Sequence, residues 1–177
     1  AAYVVGGIGI FRLTRSVLSG SAEPDRPARI AAWAAAFIYA ANPNLIYMQA
    51  TAMGEVLYLA FFIWALVYFG ESVRGNTRAL IKCGLCLAAA CLTRYDGWFL
   101  AAAMVGVLML ARLIAERTDV PGGRAALQGR VTASESIRAL APAPLFKFIL
   151  SAAAAPALWH AYNGIVYRNP LEFENGP

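Results

Sequence analysis

Three short polar segments break an otherwise apolar chain, and they hold most of its chemically useful side chains. They run from Asn42-Pro43-Asn44 to Glu55, through Thr93-Arg94-Tyr95-Asp96-Gly97-Trp98, and from Asn163 to Glu174. Arg94 carries a planar guanidinium that can donate paired hydrogen bonds to phosphate oxygens. Glu55 and Asp96 are carboxylates that could orient an acceptor group or hold a divalent ion. Gln49, Tyr95 and Asn163 are neutral hydrogen-bonding groups, and Arg168 adds a second cation to the set. Glu55, Arg94 and Asp96 each stand at the boundary of an apolar run of membrane-span length. Charge in hydrocarbon is costly, about 2.5–3.5 kcal/mol per group at mid-bilayer on insertion scales. Three charges at such boundaries therefore hint at a shared polar pocket.

Each residue also has a purely structural reading. Glu55 in a first helical turn is favoured by the helix dipole. Arg94 and Asp96 can pair at the interface, with Tyr95 and Trp98 in an aromatic belt. Asn163, Arg168 and Glu172 can form a polar exit from the membrane. His160, inside the last apolar run, reads better as a packed or hydrogen-bonded residue than as a ligand. Phe61, Phe62, Trp64 and Tyr68 read most simply as lipid-facing or core residues.

The elements that must position these groups are apolar. Hydrophobic residues make up 60% of the 177 and charged residues 14%, with mean hydropathy +0.57. Soluble domains carry about a quarter charged residues, so too little polar surface exists to coat a water-soluble globule of this size. The apolar runs, roughly 16 to 22 residues long, are of membrane-span length. The sequence thus predicts an all-α, polytopic transmembrane helical bundle of about six spans forming a single domain. The spans fall at about 1–18, 28–41, 55–69, 79–92, 98–114 and 144–166. The segment 45–54 is too polar for a full span and reads as interfacial. Residues 71–76 read as a polar loop. Residues 116–143 read as a long flexible loop with a short helix near 134–140, and Pro156 as a kink tolerated in a membrane helix.

Alternating six crossings across a bilayer sorts the charges. One side receives 13 of the 15 basic residues and six acidic ones, a net +7; the other receives Arg94, Arg168 and four acidic residues, a net −2. By the positive-inside rule the basic side is cytoplasmic and the three polar segments face outward. Arginines beside anionic headgroups account for the overall +5 and the pI near 9.4. No aromatic residues interleave with these arginines as a nucleic-acid platform requires, so no nucleic-acid partner is expected. Cys83, Cys86 and Cys91 lie in one apolar run; a structural zinc site needs four ligands and the sole histidine is in another run, so they read as small packing residues. The chain opens within an apolar stretch with no initiator Met and no secretory leader pattern, which reads as an internal fragment of a longer protein.

Asn42-Pro43-Asn44-Leu45-Ile46-Tyr47-Met48-Gln49-Ala50-Thr51-Ala52-Met53-Gly54-Glu55, followed by an aromatic span, resembles the lipid-linked-sugar glycosyltransferases of the GT-C class. The nearest relatives in kind are the protein mannosyltransferase and aminoarabinose transferase-like proteins of bacteria. Leu92-Thr93-Arg94-Tyr95-Asp96-Gly97-Trp98 is similar to the motif those proteins carry at the outer end of a following helix, where Thr-Lys is commoner than Thr-Arg. Tyr162-Asn163, Asn169-Pro170-Leu171 and Phe173-Glu174-Asn175-Gly176-Pro177 are similar to the segment that closes the same helical core.

The resemblance implies a multi-pass enzyme of the bacterial inner membrane. It would move a sugar from a polyprenyl-phosphate donor to an acceptor on the periplasmic or outer face. It implies a catalytic acidic residue in an outer loop before the first visible span, so the 177 residues alone should be inactive. Glu55 matches a second acidic residue of the family, thought to help the acceptor or a metal, and is the catalytic candidate among these residues. Arg94 would contact the donor phosphate, and Tyr95, Asp96, Gln49, Asn163 and Arg168 would complete the substrate site. No cofactor beyond a possible divalent metal ion is implied, and the partners are the polyprenyl-phosphate-linked sugar and membrane lipids. The competing reading is a non-catalytic transporter or flippase subunit that binds a lipid headgroup or solute. A transporter would set charges and broken helices near mid-membrane, whereas these collect at one end.

Overall fold

The computed structural model describes residues 1–19, 26–51, 54–117 and 142–168, and every regular element among them is an α-helix. Seven helices follow in order: α1 (Ala2–Leu18), α2 (Arg26–Ala40), α3 (Pro43–Ala50), α4 (Glu55–Val73), α5 (Thr77–Thr93), α6 (Asp96–Arg117) and α7 (Pro142–Val166). The expected short helix near 134–140 lies outside the described residues, as do 169–177.

Local sequence explains several of the breaks. Asn42 caps α3, its side chain accepting from the backbone N–H of Asn44 (2.9 Å) and Leu45 (3.4 Å), with Pro43 in the first helical position, where its missing N–H is harmless. The interfacial segment thus holds an eight-residue helix. Residues 71–73, expected as loop, instead continue α4. Two interactions hold them there: Glu71 pairs with Arg12 on α1 at 2.9 Å, and the buried Ser72 hydroxyl donates to the Phe69 carbonyl at 2.7 Å. The helix stops at Gly75, whose φ of 95° is left-handed backbone that glycine adopts freely. The Asn76 side chain then caps α5, accepting from the Ala79 N–H at 3.3 Å.

Packing is organised around α4 and α5. α4 lies between α1 and α5, α5 also packs on α6 and α7, and α2 lies against α1. The core is built from Leu80, Cys83 and Leu87 of α5, Ala65 of α4, Met104 of α6 and Phe148 of α7. Small residues set the separations: a Cβ on Gly84 would stand 2.1 Å from Ser151 Oγ, so α5 and α7 meet closely only because that position is bare. The cysteines are free and buried or half-buried, with Cys83 Sγ 3.9 Å from Met104 Sδ.

α1 and α4 run in the same direction. Trp64 Nε1 donates to the Val5 carbonyl (2.9 Å), Arg12 meets Glu71, and Arg74 donates to Ser16 Oγ (2.6 Å). The starts of α1, α4 and α6 therefore gather at one end of the bundle with the ends of α2, α5 and α7. Many large apolar side chains face outward, among them Trp33 (65% exposed), Phe37 (73%), Phe99 (78%) and Ile165 (81%), the kind of surface that marks contact with a membrane or another protein. Among the described residues two helices are long and apolar enough to cross a membrane: Glu55–Val73, 19 residues at mean hydropathy 1.8, and Asp96–Leu113, 18 residues at 1.5. α1, α2 and α5, at 15 to 17 residues, rise about 22–26 Å, short of a hydrocarbon core of about 30 Å.

Candidate functional site

At the end where α4 and α6 begin and α5 ends, one arginine joins three elements. Thr93 closes α5, its hydroxyl donating to the Ala90 carbonyl at 2.8 Å. Arg94 then turns to extended backbone (φ −152°, ψ 147°). The chain re-enters helix at Asp96 through a tight turn in which the Gly97 N–H donates to the Arg94 carbonyl (3.1 Å) and the Trp98 N–H to that of Tyr95 (2.9 Å). Gly97 lies against the end of α5, where a Cβ would meet Cys91 N at 2.7 Å and Ala90 C at 2.8 Å. That close approach fixes the Arg94-to-Asp96 turn.

Arg94 Nη1 donates to Glu55 Oε1 at 2.7 Å and Arg94 Nε to Asp96 Oδ2 at 3.0 Å. All three side chains are partly open to solvent, 40% for Arg94, 35% for Glu55 and 58% for Asp96. These two contacts engage two of the five guanidinium donors. Arg94, Tyr95 and Asp96 line a cavity of about 260 Å³ together with Cys91, Thr93 and Trp159. Tyr95 and Trp159 are its aromatic lining, and further rings pack behind them. Tyr95 stands edge-on to Trp98 (centroids 5.5 Å apart) and to Trp159 (5.7 Å), Trp98 lies 5.5 Å from the His160 ring, and Trp159 stacks on Tyr162 at 5.8 Å.

Trp159 was not singled out from the sequence. Its indole Nε1 is buried with no hydrogen-bond partner among the described residues, in a side chain that lines the cavity beside Arg94. A buried N–H without an acceptor costs roughly 1–3 kcal/mol. The available signal was position: Trp159 precedes His160 and Tyr162 at the outer end of the last apolar run.

The remaining candidates are less central. Asn163, one turn beyond Trp159, is buried at 3% exposure, and its carbonyl accepts from the Tyr167 N–H at 2.9 Å. It does not line the cavity. Gln49 is exposed on α3, also outside the cavity lining. Arg168 follows α7 in left-handed backbone at φ 57°, and Glu172 lies outside the described residues. His160 makes ring contact with Trp98. Among the described residues no group of three or more His, Cys, Asp or Glu could hold a metal ion. Glu55 and Asp96 both grip Arg94, so the guanidinium stands where a divalent ion between them would sit. Two carboxylates so engaged do not make a cation-binding set.

The opposite end of the bundle is held by different contacts: Arg12 to Glu71, Arg74 to Ser16, and two cations over rings, Arg12 above Trp64 (5.3 Å) and Lys82 above Tyr68 (5.5 Å). No protein-family model, curated protein or solved structure matches the chain.

Proposed function

We propose that this chain belongs to a multi-pass membrane glycosyltransferase that draws on a polyprenyl-phosphate sugar donor, with its reaction centre at the Arg94 end. In this reading six helices cross the bilayer, which thins locally to match the shorter α1, α2 and α5, while α3 lies at the interface and the Arg94 end faces the outer side. The observation that carries it is a guanidinium held by two carboxylates on the wall of a cavity that the Trp159 ring also lines. A volume of about 260 Å³ is small for a whole lipid but suits a phosphate group or one sugar ring.

The residues divide the work as follows. The donor's isoprenoid chain stays in the bilayer while its phosphate reaches the interface, where Arg94 meets the oxygens. Binding exchanges one carboxylate contact of Arg94 for phosphate, which frees Glu55 to orient the acceptor hydroxyl. As the acceptor oxygen bonds to the anomeric carbon, the carbon–oxygen bond to phosphate breaks and polyprenyl phosphate leaves. The acceptor proton passes to a carboxylate. Charge builds on the departing phosphate, where the Arg94 guanidinium stabilises it. Tyr95 and Trp159 offer flat faces to a sugar ring. A transporter reading is weaker, because the charges lie at helix ends rather than at broken helices in mid-membrane.

The test is sugar transfer from a polyprenyl-phosphate sugar in membranes carrying the natural protein that contains this chain. Arg94→Ala and Glu55→Gln lower the rate at least about 10²-fold with expression retained, the scale of losing one fixed donor to a developing charge. Transfer at the unmodified rate in both variants removes these residues from the reaction.

A further inference from the structure

A second cavity lies between α1, α4 and α5 and runs inward from the end where α1 and α4 begin. It is a groove of about 510 Å³ walled by Val5, Leu57, Phe61, Trp64, Tyr68 and Cys86, with almost no polar lining. Leu57 and Tyr68 are 11 residues apart on one helix, so the groove runs about 16 Å along the bundle axis, close to half of a hydrocarbon core. It would hold one extended acyl chain.

Its two ends differ in charge. At the Tyr68 end, two of the wall's aromatic rings carry cations: Arg12 stands 5.3 Å from the Trp64 centroid and Lys82 5.5 Å from that of Tyr68. Arg12 is also tethered to Glu71 at 2.9 Å. At the other end, Leu57 is two residues from Glu55, whose carboxylate is engaged by Arg94. Cations at one end of an apolar slot and a carboxylate near the other give the slot a direction. We propose that the groove binds a diacyl phospholipid with an anionic headgroup, its phosphate between Arg12 and Lys82 and one acyl chain lying along α4. The site shares no lining residue with the Arg94 cavity, and it depends on membrane residence but not on sugar transfer.

Each cation near an anionic lipid surface is worth about a fivefold change in affinity. The test is native mass spectrometry of the purified protein in detergent with added phosphatidylglycerol or phosphatidylcholine of the same acyl chains. Phosphatidylglycerol is retained at least about fivefold over phosphatidylcholine, Lys82→Gln lowers that preference about fivefold, and Leu57→Trp, which fills the groove, lowers retention of phosphatidylglycerol. Arg29→Gln serves as a control, since it removes an exposed cation from α2, outside the groove. Equal retention of the two lipids overturns the proposal. So does a loss in Arg29→Gln as large as that in Lys82→Gln, which would mark a general charge effect. Unchanged retention in Leu57→Trp also overturns it, because the lipid would then be held somewhere other than the groove.

Discussion

Replacing Gly97 by alanine should damage the Arg94 turn out of proportion to the one methyl added. The new Cβ would meet backbone atoms of Ala90 and Cys91 at 2.7–2.8 Å, and backbone at the end of a packed helix cannot rotate away as a side chain can. Carbon contacts become favourable near 3.5 Å, so the start of α6 must retreat from α5 by about 0.7 Å. Overpacking of this kind costs about 1–3 kcal/mol. For a chain of this size that is a fall of about 2–12 °C in melting temperature.

The same retreat carries Asp96 away from Arg94, whose contact is 3.0 Å at present. A misplacement approaching 1 Å in a catalytic constellation costs about 10²-fold in rate. Gly70, in the interior of α4, has nothing within 4 Å of its Cβ position. There alanine should raise stability by about 0.5–1 kcal/mol through helix propensity alone. Thermal unfolding in detergent, followed by circular dichroism for the two variants side by side, reads both effects. Equal melting temperatures for Gly97→Ala and the unmodified protein would refute the close-approach argument.

Gly84→Ala should lower the melting temperature because its Cβ would stand 2.1 Å from Ser151 Oγ, and Gly84→Ala combined with Ser151→Ala should recover most of the loss, since the remaining Cβ contact is 3.3 Å; no recovery would point to a different contact. A double-mutant cycle between Arg94→Ala and Glu55→Gln, read by thermal or denaturant unfolding, should give a coupling of only about 0.2–1 kcal/mol, as both side chains are more than a third exposed. A much larger coupling would make the pair a structural clamp rather than a recognition device.

How far the sequence discloses this molecule depends on the kind of feature. The helical class follows from apolar runs and the charge deficit, and the breaks at Asn42-Pro43 and at Gly75-Asn76 follow from capping chemistry. The end of α4 was not legible, because Glu71 and Ser72 look like loop residues until a partner on α1 and a carbonyl one turn back are known to be available. Spacing alone could not bring Glu55 within 2.7 Å of Arg94, 39 residues later; that depends on α4 and α5 being adjacent and antiparallel. What the sequence did offer was the cost of charge at apolar boundaries, which singled out the same three residues. Trp159 was hidden for the opposite reason. An indole in an apolar run is ordinary, and only the packing of α7 on α5 brings it beside Arg94. Gln49 belongs to the quoted motif and sits exposed on α3, outside the cavity lining.

The most direct measurement is photocrosslinking of a short polyprenyl phosphate, with the reactive group beside the phosphate, to the protein in membranes, followed by peptide mapping. The account predicts adducts within residues 91–96 and at Trp159, with yields reduced at least about tenfold by Arg94→Ala. Adducts concentrated at the Arg12–Glu71 end, or yields indifferent to Arg94→Ala, would contradict it.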